Sequence, residues 1–456
     1  MITAKSRQTL NLTILSLAWP TILEQVFQTL VQYVDSAMVG RIGAEASATV
    51  GVTGTATWLL TGFSFAAGVG FLACISRAIG AGDFVLARRV SAQSIVFSLL
   101  LGTVSGGLGI LISGSLPGWM GADPALHRDA AIYFAIVSAA LVVRSPMIVF
   151  SSVLRAAGDM RTPMLVNVTA NVVNVLFNFL LIYETRTIQI LGRSITIWGA
   201  GMGVAGAALG TAISFVAGFL LMLPVLYRNP AISPKEFPLL PNRAILYQVI
   251  GIAIPSALQR LVLCLGQMVF TAQVTSLGTV PLAAHSIAIT AEQAFYMPGS
   301  GYQAAATTLC GQALGAGDKE RIRKIARRCA LLSVGTLAAT GLLLFTFPGA
   351  VMSIFTPDPA VIALGAAVLR LVSVSEPFFG LTMVLEGVFN GIGDTRPGFY
   401  ISMVSMWGFR ILPTLLCVRV FGLGLTAVWC CMVADVIGRS LLLAIRFLKG
   451  RWLQRL

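Results

Sequence analysis

The chain has 456 residues, 57% of them hydrophobic and 11% charged, with a mean hydropathy of +0.87. Soluble domains carry about a quarter of their residues as charges, so a water-soluble globule is excluded and a membrane protein is expected. The net charge of +14 would suit nucleic acid, but the basic residues fall between apolar runs, where membrane topology places them.

Each apolar run is about 20 residues long, enough to cross a hydrocarbon core roughly 30 Å thick at 1.5 Å per residue. The pattern predicts helices over 12–38, 50–75, 92–116, 130–154, 163–183 and 201–226. A second set follows over 246–275, 283–309, 327–350, 362–388, 398–418 and 422–446. The expected fold is therefore all-α and integral to the membrane, with twelve transmembrane helices. The first run exceeds the h-region of a signal peptide, carries Glu24 and Asp35, and shows no clear small-residue cleavage site, so it is expected to remain in the mature protein. Seven cysteines without metal-ligand spacing read as packing residues.

Lys and Arg accumulate in loops that stay in the cytoplasm. With the N-terminus inside, the inward segments hold Lys5, Arg7, Arg77, Arg88, Arg89, Arg155, Arg161, Arg228, Lys235, Arg243, the run 319–328, Arg396 and the tail 446–455, together 21 of the 31 basic residues. The outward segments hold Arg41, Arg128, Arg186, Arg193 and Arg419. A multi-pass protein of the plasma membrane, in a bacterium the inner membrane, with both termini cytoplasmic, is expected.

The Pro-rich loop "YRNPAISPKEFPLLPNR" (227–243) reads as a cytoplasmic linker between an N-terminal six-helix lobe, 1–226, and a C-terminal six-helix lobe, 244–456. One register superimposes the two: Pro20 on Pro255, Gly43 on Gly278, "GAGD" at Gly80 on "GAGD" at Gly315, Gly158 on Gly393, Arg88 on Arg323 and Arg161 on Arg396, always 235 residues apart. Six crossings per half give both halves the same orientation, so the repeat is parallel. Two bundles related by such a repeat, with a site between them, are a secondary-transporter design.

A charge at bilayer depth costs on the order of 3 kcal/mol, and it persists where it meets a cavity, a partner or an ion. In the first helix Glu24, Gln28, Gln32 and Asp35 step by four, four and three along one face; in the fifth, Asn167, Asn171, Asn174 and Asn178 step by four, three and four. Interhelical hydrogen bonding explains one or two amides; four in line fit a hydrated cavity better. The second half lacks them, since Asp35, Asn174 and Asn178 fall on Phe270, Phe409 and Pro413. This asymmetry suggests that the first lobe handles a coupling cation while a cleft between lobes handles substrate. Glu292, in "AITAEQAFYMPGSGY" beside Tyr296 and Met297, either lines a cavity for a bulky organic cation or packs between helices. Arg410 and Asp435, in adjacent predicted helices, could form an internal ion pair, and Glu376 and Glu386 are further acids of that half. The repeated "GAGD" lacks the GxxxxGK[ST] of a phosphate loop and reads as a tight cytoplasmic turn.

The segments "LAWPTILEQVFQTLVQYVDSAMVGRIGAEA", "ISRAIGAGDFVLARR", "LRAAGDMRTPM", "GVAGAALGTAIS", "SLGTVPLAAHSIAI", "YMPGSGYQAAATTLCGQALGAGDKERIRK" and "NGIGDTRPGF", in this order, resemble the multidrug and toxic compound extrusion family. The resemblance implies two six-helix lobes, a central cavity, and export of cationic or amphipathic compounds driven by protons or sodium ions. By the same resemblance Asp35 is a cation-coupling carboxylate, Asn174 matches the Asn of an Asn-x-x-x-Asp pattern, and Thr211 matches a sixth-helix threonine. Asn178 stands where some members carry a second carboxylate, Leu263 stands where one branch carries an acid, and Glu292 matches an eighth-helix acid.

With one carboxylate among the amides the case leans toward protons, but a sodium site needs several oxygen ligands, and Asp35, Asn174, Asn178 and Thr211 could supply them. Protonation of a cavity-facing Asp35 would bend the first helix at a hinge near Pro20 and displace substrate from a cavity lined by Gln28, Gln32, Asn171, Glu292, Tyr296 and Met297. No cofactor beyond the coupling ion, no metal other than that sodium ion and no nucleic-acid partner is expected; small organic cations and membrane lipid are, with function as a monomer. A second reading, a flippase-type exporter of lipid-linked or polyanionic substrates, would use Arg144, Arg260 and Arg370. A third, a membrane enzyme, needs a metal-binding acid cluster such as a DDxxD pair, which the sequence lacks, and its two histidines, His127 and His285, lie far apart.

Overall fold

The computed structural model describes residues 4–190 and 193–450. In chain order it comprises α1 (Ala4–Gly40), α2 (Ala44–Gly80), α3 (Phe84–Ile112), the single turn α4 (Leu116–Trp119), α5 (His127–Ala139), α6 (Leu141–Ala156), α7 (Arg161–Leu181), the strands β1 (Glu184–Ile190) and β2 (Arg193–Ala200), and α8 (Gly203–Arg228). There follow α9 (Arg243–Thr275), α10 (Thr279–Tyr296), α11 (Pro298–Gly315), α12 (Lys319–Thr346), α13 (Pro348–Ser353), α14 (Pro359–Ser373), α15 (Glu376–Gly391), α16 (Arg396–Met403), a π-helical stretch Val404–Ile411, α17 (Leu412–Arg419) and α18 (Leu425–Lys449). Arg451 and Arg455 of the basic tail lie outside the described residues.

Among the described residues nine helices are long and apolar enough to cross a membrane, and eleven spans result if two bent pairs each count once. The pairs are the fourth expected span, broken between α5 and α6 by 46°, and the tenth, broken between α14 and α15 by 53°. The eighth expected span, 283–309, is α10 and α11, and is not among the eleven. Pro298 opens α11 without an N–H to continue the ladder of α10, and Gln303, Thr307, Thr308 and Gln312 make α11 too polar to qualify by composition. The fold thus remains a helical membrane fold, with one departure from all-α: β1 and β2 pair antiparallel. Their alternating, β-branched sequence, with Thr185, Thr187, Thr196 and Ile197, carries the period of a strand, a signal that the long apolar runs overshadow.

The described residues form two compact units. One comprises 1–22, 72–83 and 250–456; the other 23–71 and 84–249. In the first, Ile14 and Ala18 join Tyr302, Ala306, Ile322, Val388 and Phe389 in one core, while Phe270, Ala288, Leu369, Val428 and Trp429 form a second. In the other unit Val39, Ala46, Ile182, Val204 and Ala207 cluster near the end of α1. Apolar surface also faces outward: Leu100, Val104, Leu108 and Leu111 of α3 are 57%, 58%, 53% and 80% exposed, a stripe at helical spacing suited to lipid.

The repeat recurs in the contacts. Asn167 donates to Glu24 Oε1 at 2.6 Å, and Gln259 and Ser402, which the 235-residue register places at the same positions, are hydrogen bonded at 2.9 Å. The two "GAGD" turns behave as expected: Gly82 and Gly317 adopt φ of +74° and +71°, each followed by an Asp whose N–H returns to the helix, to Ala78 and Ala313 respectively. Their first glycines do more. A Cβ on Gly80 would lie 1.9 Å from the Gln312 carbonyl oxygen, and one on Gly315 would lie 1.9 Å from that of Arg77, so α2 and α11 touch backbone to backbone.

Candidate cation and substrate site

Asp35 lies in the last third of α1, half-buried, opposite α7 and α8. Asn178 Nδ2 donates to Asp35 Oδ1 at 2.8 Å. In the amide orientation that satisfies its neighbours, Asn174 donates to Asp35 Oδ1 and Oδ2 at 2.9 and 3.0 Å and accepts from the Thr211 hydroxyl at 3.2 Å. The helical spacing of four puts both amides on one face of α7, and Gly210 of α8 lets that face approach, because a Cβ there would meet Asn178 Oδ1 at 2.1 Å. The four residues assigned to cation coupling from the sequence, Asp35, Asn174, Asn178 and Thr211, are thus assembled into one cluster. Beside it is a cavity of about 130 Å³, also lined by Ser36, Ser47 and Tyr133. Tyr133, on α5, was not singled out in the sequence; only the fold brings it to Asp35.

The amides present donors to the carboxylate, an arrangement suited to an ionised Asp35. A sodium ion held by Asp35, Asn174 and Thr211 would need the Asn174 oxygen turned toward it, opposite to the orientation given above. Asn178 Oδ1, by contrast, is buried without a hydrogen-bond partner and is a spare oxygen. Among the described residues no group of three or more His, Cys, Asp or Glu is placed to hold a metal ion.

The polar stripe of α1 divides. Glu24, 6% exposed, accepts from Arg155 Nη2 at 2.9 and 2.8 Å through its two oxygens and from Asn167 at 2.6 Å. Arg155, counted by position among the inward basic residues, is the counterion of that acid. Gln28 and Asn171 line a second cavity of about 150 Å³ with Glu24 and Arg144. Gln32 is exposed and lines neither cavity. Pro20 is buried within α1, which runs unbroken past it.

Glu292, Tyr296 and Met297 belong to the other unit. Tyr296 packs edge-on against Phe379 with ring centres 4.9 Å apart, and Met297 is buried. Position 270, the counterpart of Asp35, holds a fully buried Phe270 packed against His285 at 5.6 Å. The expected pair is present: Arg410 Nη2 lies 2.8 Å from Asp435 Oδ2. Arg439 joins it, 3.0 Å from Oδ1, and Ser405 donates to the same carboxylate. Arg410 reaches this position from the π-helical stretch, also donating to Gln267 at 3.3 Å. Glu386 accepts from Gln259 at 2.9 Å, whereas Glu376, 2% exposed, has no hydrogen-bond partner on either oxygen.

The MatE family model matches the chain twice, over residues 20–180 and 255–416, starting points that repeat the 235-residue register. The chain is 28% identical over 398 residues to a probable multidrug resistance protein NorM of Thermotoga maritima, covering 87% of this chain and 83% of that protein. It is 24% identical to an uncharacterized transporter, YisQ, of Bacillus subtilis, covering 86% and 84%. A crystal structure of a mutant of the Vibrio cholerae MATE transporter VcmN superimposes with a TM-score of 0.88 at 21% identity, covering 98% of each chain. With the helical fold, the internal repeat and a family match over both halves, the chain belongs to the MatE family, the multidrug and toxic compound extrusion transporters.

Proposed function

We propose that this transporter is a secondary active antiporter that exports cationic or amphipathic organic compounds in exchange for protons or sodium ions. The observation that carries the reading is a single carboxylate, Asp35, held within an apolar helix by the amides of Asn174 and Asn178. As an anion, Asp35 accepts from both amides and ties α1 to α7. A proton on the carboxyl, or a cation against it, removes acceptor capacity and weakens those bonds, so cation binding and the packing of α1 are linked. Coupling follows if cation and substrate prefer different arrangements of the helix, since a ligand with equal affinity for both shifts nothing. Pro20, which withholds one backbone hydrogen bond, is the hinge. With one carboxylate among the amides, the oxygen ligands that sodium needs are few, and the reading leans toward the proton.

Gln28, Gln32 and Asn171 in lobe 1–226 and Glu292, Tyr296 and Met297 in lobe 244–456 would contact substrate, with transport by alternating access and the 227–243 linker and both termini in the cytoplasm. One polypeptide carries both lobes, so a monomer suffices. The test is efflux of a fluorescent organic cation from proteoliposomes under an imposed proton or sodium gradient, wild type against Asp35→Asn at matched protein. One gradient should drive wild-type efflux and fail to drive the variant; a wild type that moves no cation under either gradient removes the antiport reading.

A further inference from the structure

The segment that follows α8 is fastened to the start of α3 by three side chains. Arg88 donates through Nε to the Pro230 carbonyl at 2.8 Å and faces Glu236 at 3.8 Å. Arg89 stacks over the Phe237 ring, 5.7 Å from its centroid. Gln93 donates to the Leu240 carbonyl and accepts from the Asn242 N–H, both at 2.8 Å. The chain itself meets both arginines there.

The 235-residue register carries these positions onto Arg323, Lys324 and Arg328 at the start of α12, so the neutral amide has become a third cation. Arg327 stands among them, exposed, where the first half has the fully buried Ala92. The acids at this end are already engaged. Asp318 caps α12 by accepting from the Arg321 N–H at 2.8 Å, Glu320 holds Lys324 at 2.7 Å, and Asp394 is paired with Arg446. Arg323 lies against the end of α18, where a Cβ on Gly450 would come within 3.1 Å of its Nη2. Among the described residues no carboxylate pairs with Arg321, Arg323, Arg327 or Arg328, and residues 451–456, "RWLQRL", add two arginines and no acid.

The same face of α12 continues as an open apolar stripe. Lys324, Arg328, Leu331, Gly335, Ala338 and Leu342 step by four, three, four, three and four, and Leu331 and Leu342 are 65% and 66% exposed. In a bilayer such a stripe faces acyl chains, and long basic side chains at its end reach the level of the headgroups. Basic clusters at that level recruit anionic lipid, and guanidiniums bind phosphate through paired hydrogen bonds.

We propose that the start of α12 binds the phosphate of an anionic phospholipid of the cytoplasmic leaflet, through Arg327 and Arg328 with Lys324 beside them. Lipid would then supply to the second lobe the partners that the linker supplies to the first. The stripe beneath commits the site to a lipid, because the acyl chains of a bound lipid have an apolar face to lie on. The site stands independently of which compound is exported.

The test is native mass spectrometry of the full-length protein released from micelles holding equal amounts of a phosphatidylglycerol and a phosphatidylcholine with identical acyl chains. Wild type should retain phosphatidylglycerol in preference. That preference should fall roughly tenfold in the double variant Arg327→Gln, Arg328→Gln, fall in part in R327Q alone, which serves where the double variant folds poorly, and survive when both arginines become lysine. Arg88→Gln, at a position the linker occupies, should leave it unchanged. Equal retention of the two lipids by wild type overturns the proposal. So does a preference that persists in the glutamine variants or is lost equally in R88Q, since the basic surface as a whole then attracts anionic lipid. Excess glycerol phosphate should leave the retained lipid in place; complete displacement would mark a site for a soluble anion and overturn the assignment to lipid.

Discussion

Asn178 holds Asp35 through its amide nitrogen at 2.8 Å and leaves its own carbonyl oxygen buried and partnerless above Gly210. Position 178 therefore supplies a donor to the carboxylate, and its geometry depends on the absence of a side chain one helix away.

Asn178→Ala should reduce gradient-driven efflux by about tenfold, the loss of one charge-assisted hydrogen bond. Gly210→Ala should act in the same direction without touching Asp35, because its Cβ displaces the Asn178 side chain. Initial efflux rates at matched reconstitution check both, and a G210A rate equal to wild type would show that the Asn178 contact is not required.

Arg155→Gln leaves Glu24, a buried acid, with Asn167 alone, and should destabilise the protein by about 3 kcal/mol. The double variant Glu24→Gln, Arg155→Gln should recover most of that loss, since no uncompensated charge remains. Thermal unfolding of the purified transporter, followed by tryptophan fluorescence, reads the difference.

Asp435 is fully buried between two guanidiniums. Asp435→Asn removes the carboxylate that pairs with both Arg410 and Arg439 and should cost about 3–5 kcal/mol, seen as a lower unfolding temperature and poor yield of folded protein.

Gly80→Ala and Gly315→Ala each push a methyl group into a facing carbonyl. Both should destabilise by at least 1–3 kcal/mol, the usual range for overpacking, and by similar amounts, since the two contacts mirror each other. Ala substitution at Gly335, inside α12, where a Cβ would meet nothing within 4 Å, is the control and should leave the unfolding temperature unchanged or slightly raised.

Much of the architecture was legible because apolar length and turn chemistry are local properties. The run ending at "GAGD" predicts both the end of α2 and its left-handed glycine, and the 235-residue register predicts that Gln259 and Ser402 stand where Glu24 and Asn167 do. The bends at Ala139–Leu141 and Ser373–Glu376, and the break at Pro298, were less legible, because a hydropathy window averages across a kink without a change of composition. The hairpin at 184–200 was hidden for the related reason that two short strands bury little and leave only a weak period-2 signal.

The sequence by itself determined that this chain is a membrane protein, that its halves are copies, and that Asp35, Asn174 and Asn178 share a polar stripe, since hydropathy, repetition and helical period are written along one dimension. Only the tertiary structure decided which charges remain available. Glu24 is neutralised by Arg155, 131 positions away, and Asp435 by Arg410 and Arg439. Ion pairing is set by the distance between side chains on different helices, and helix packing fixes that distance where no sequence spacing can.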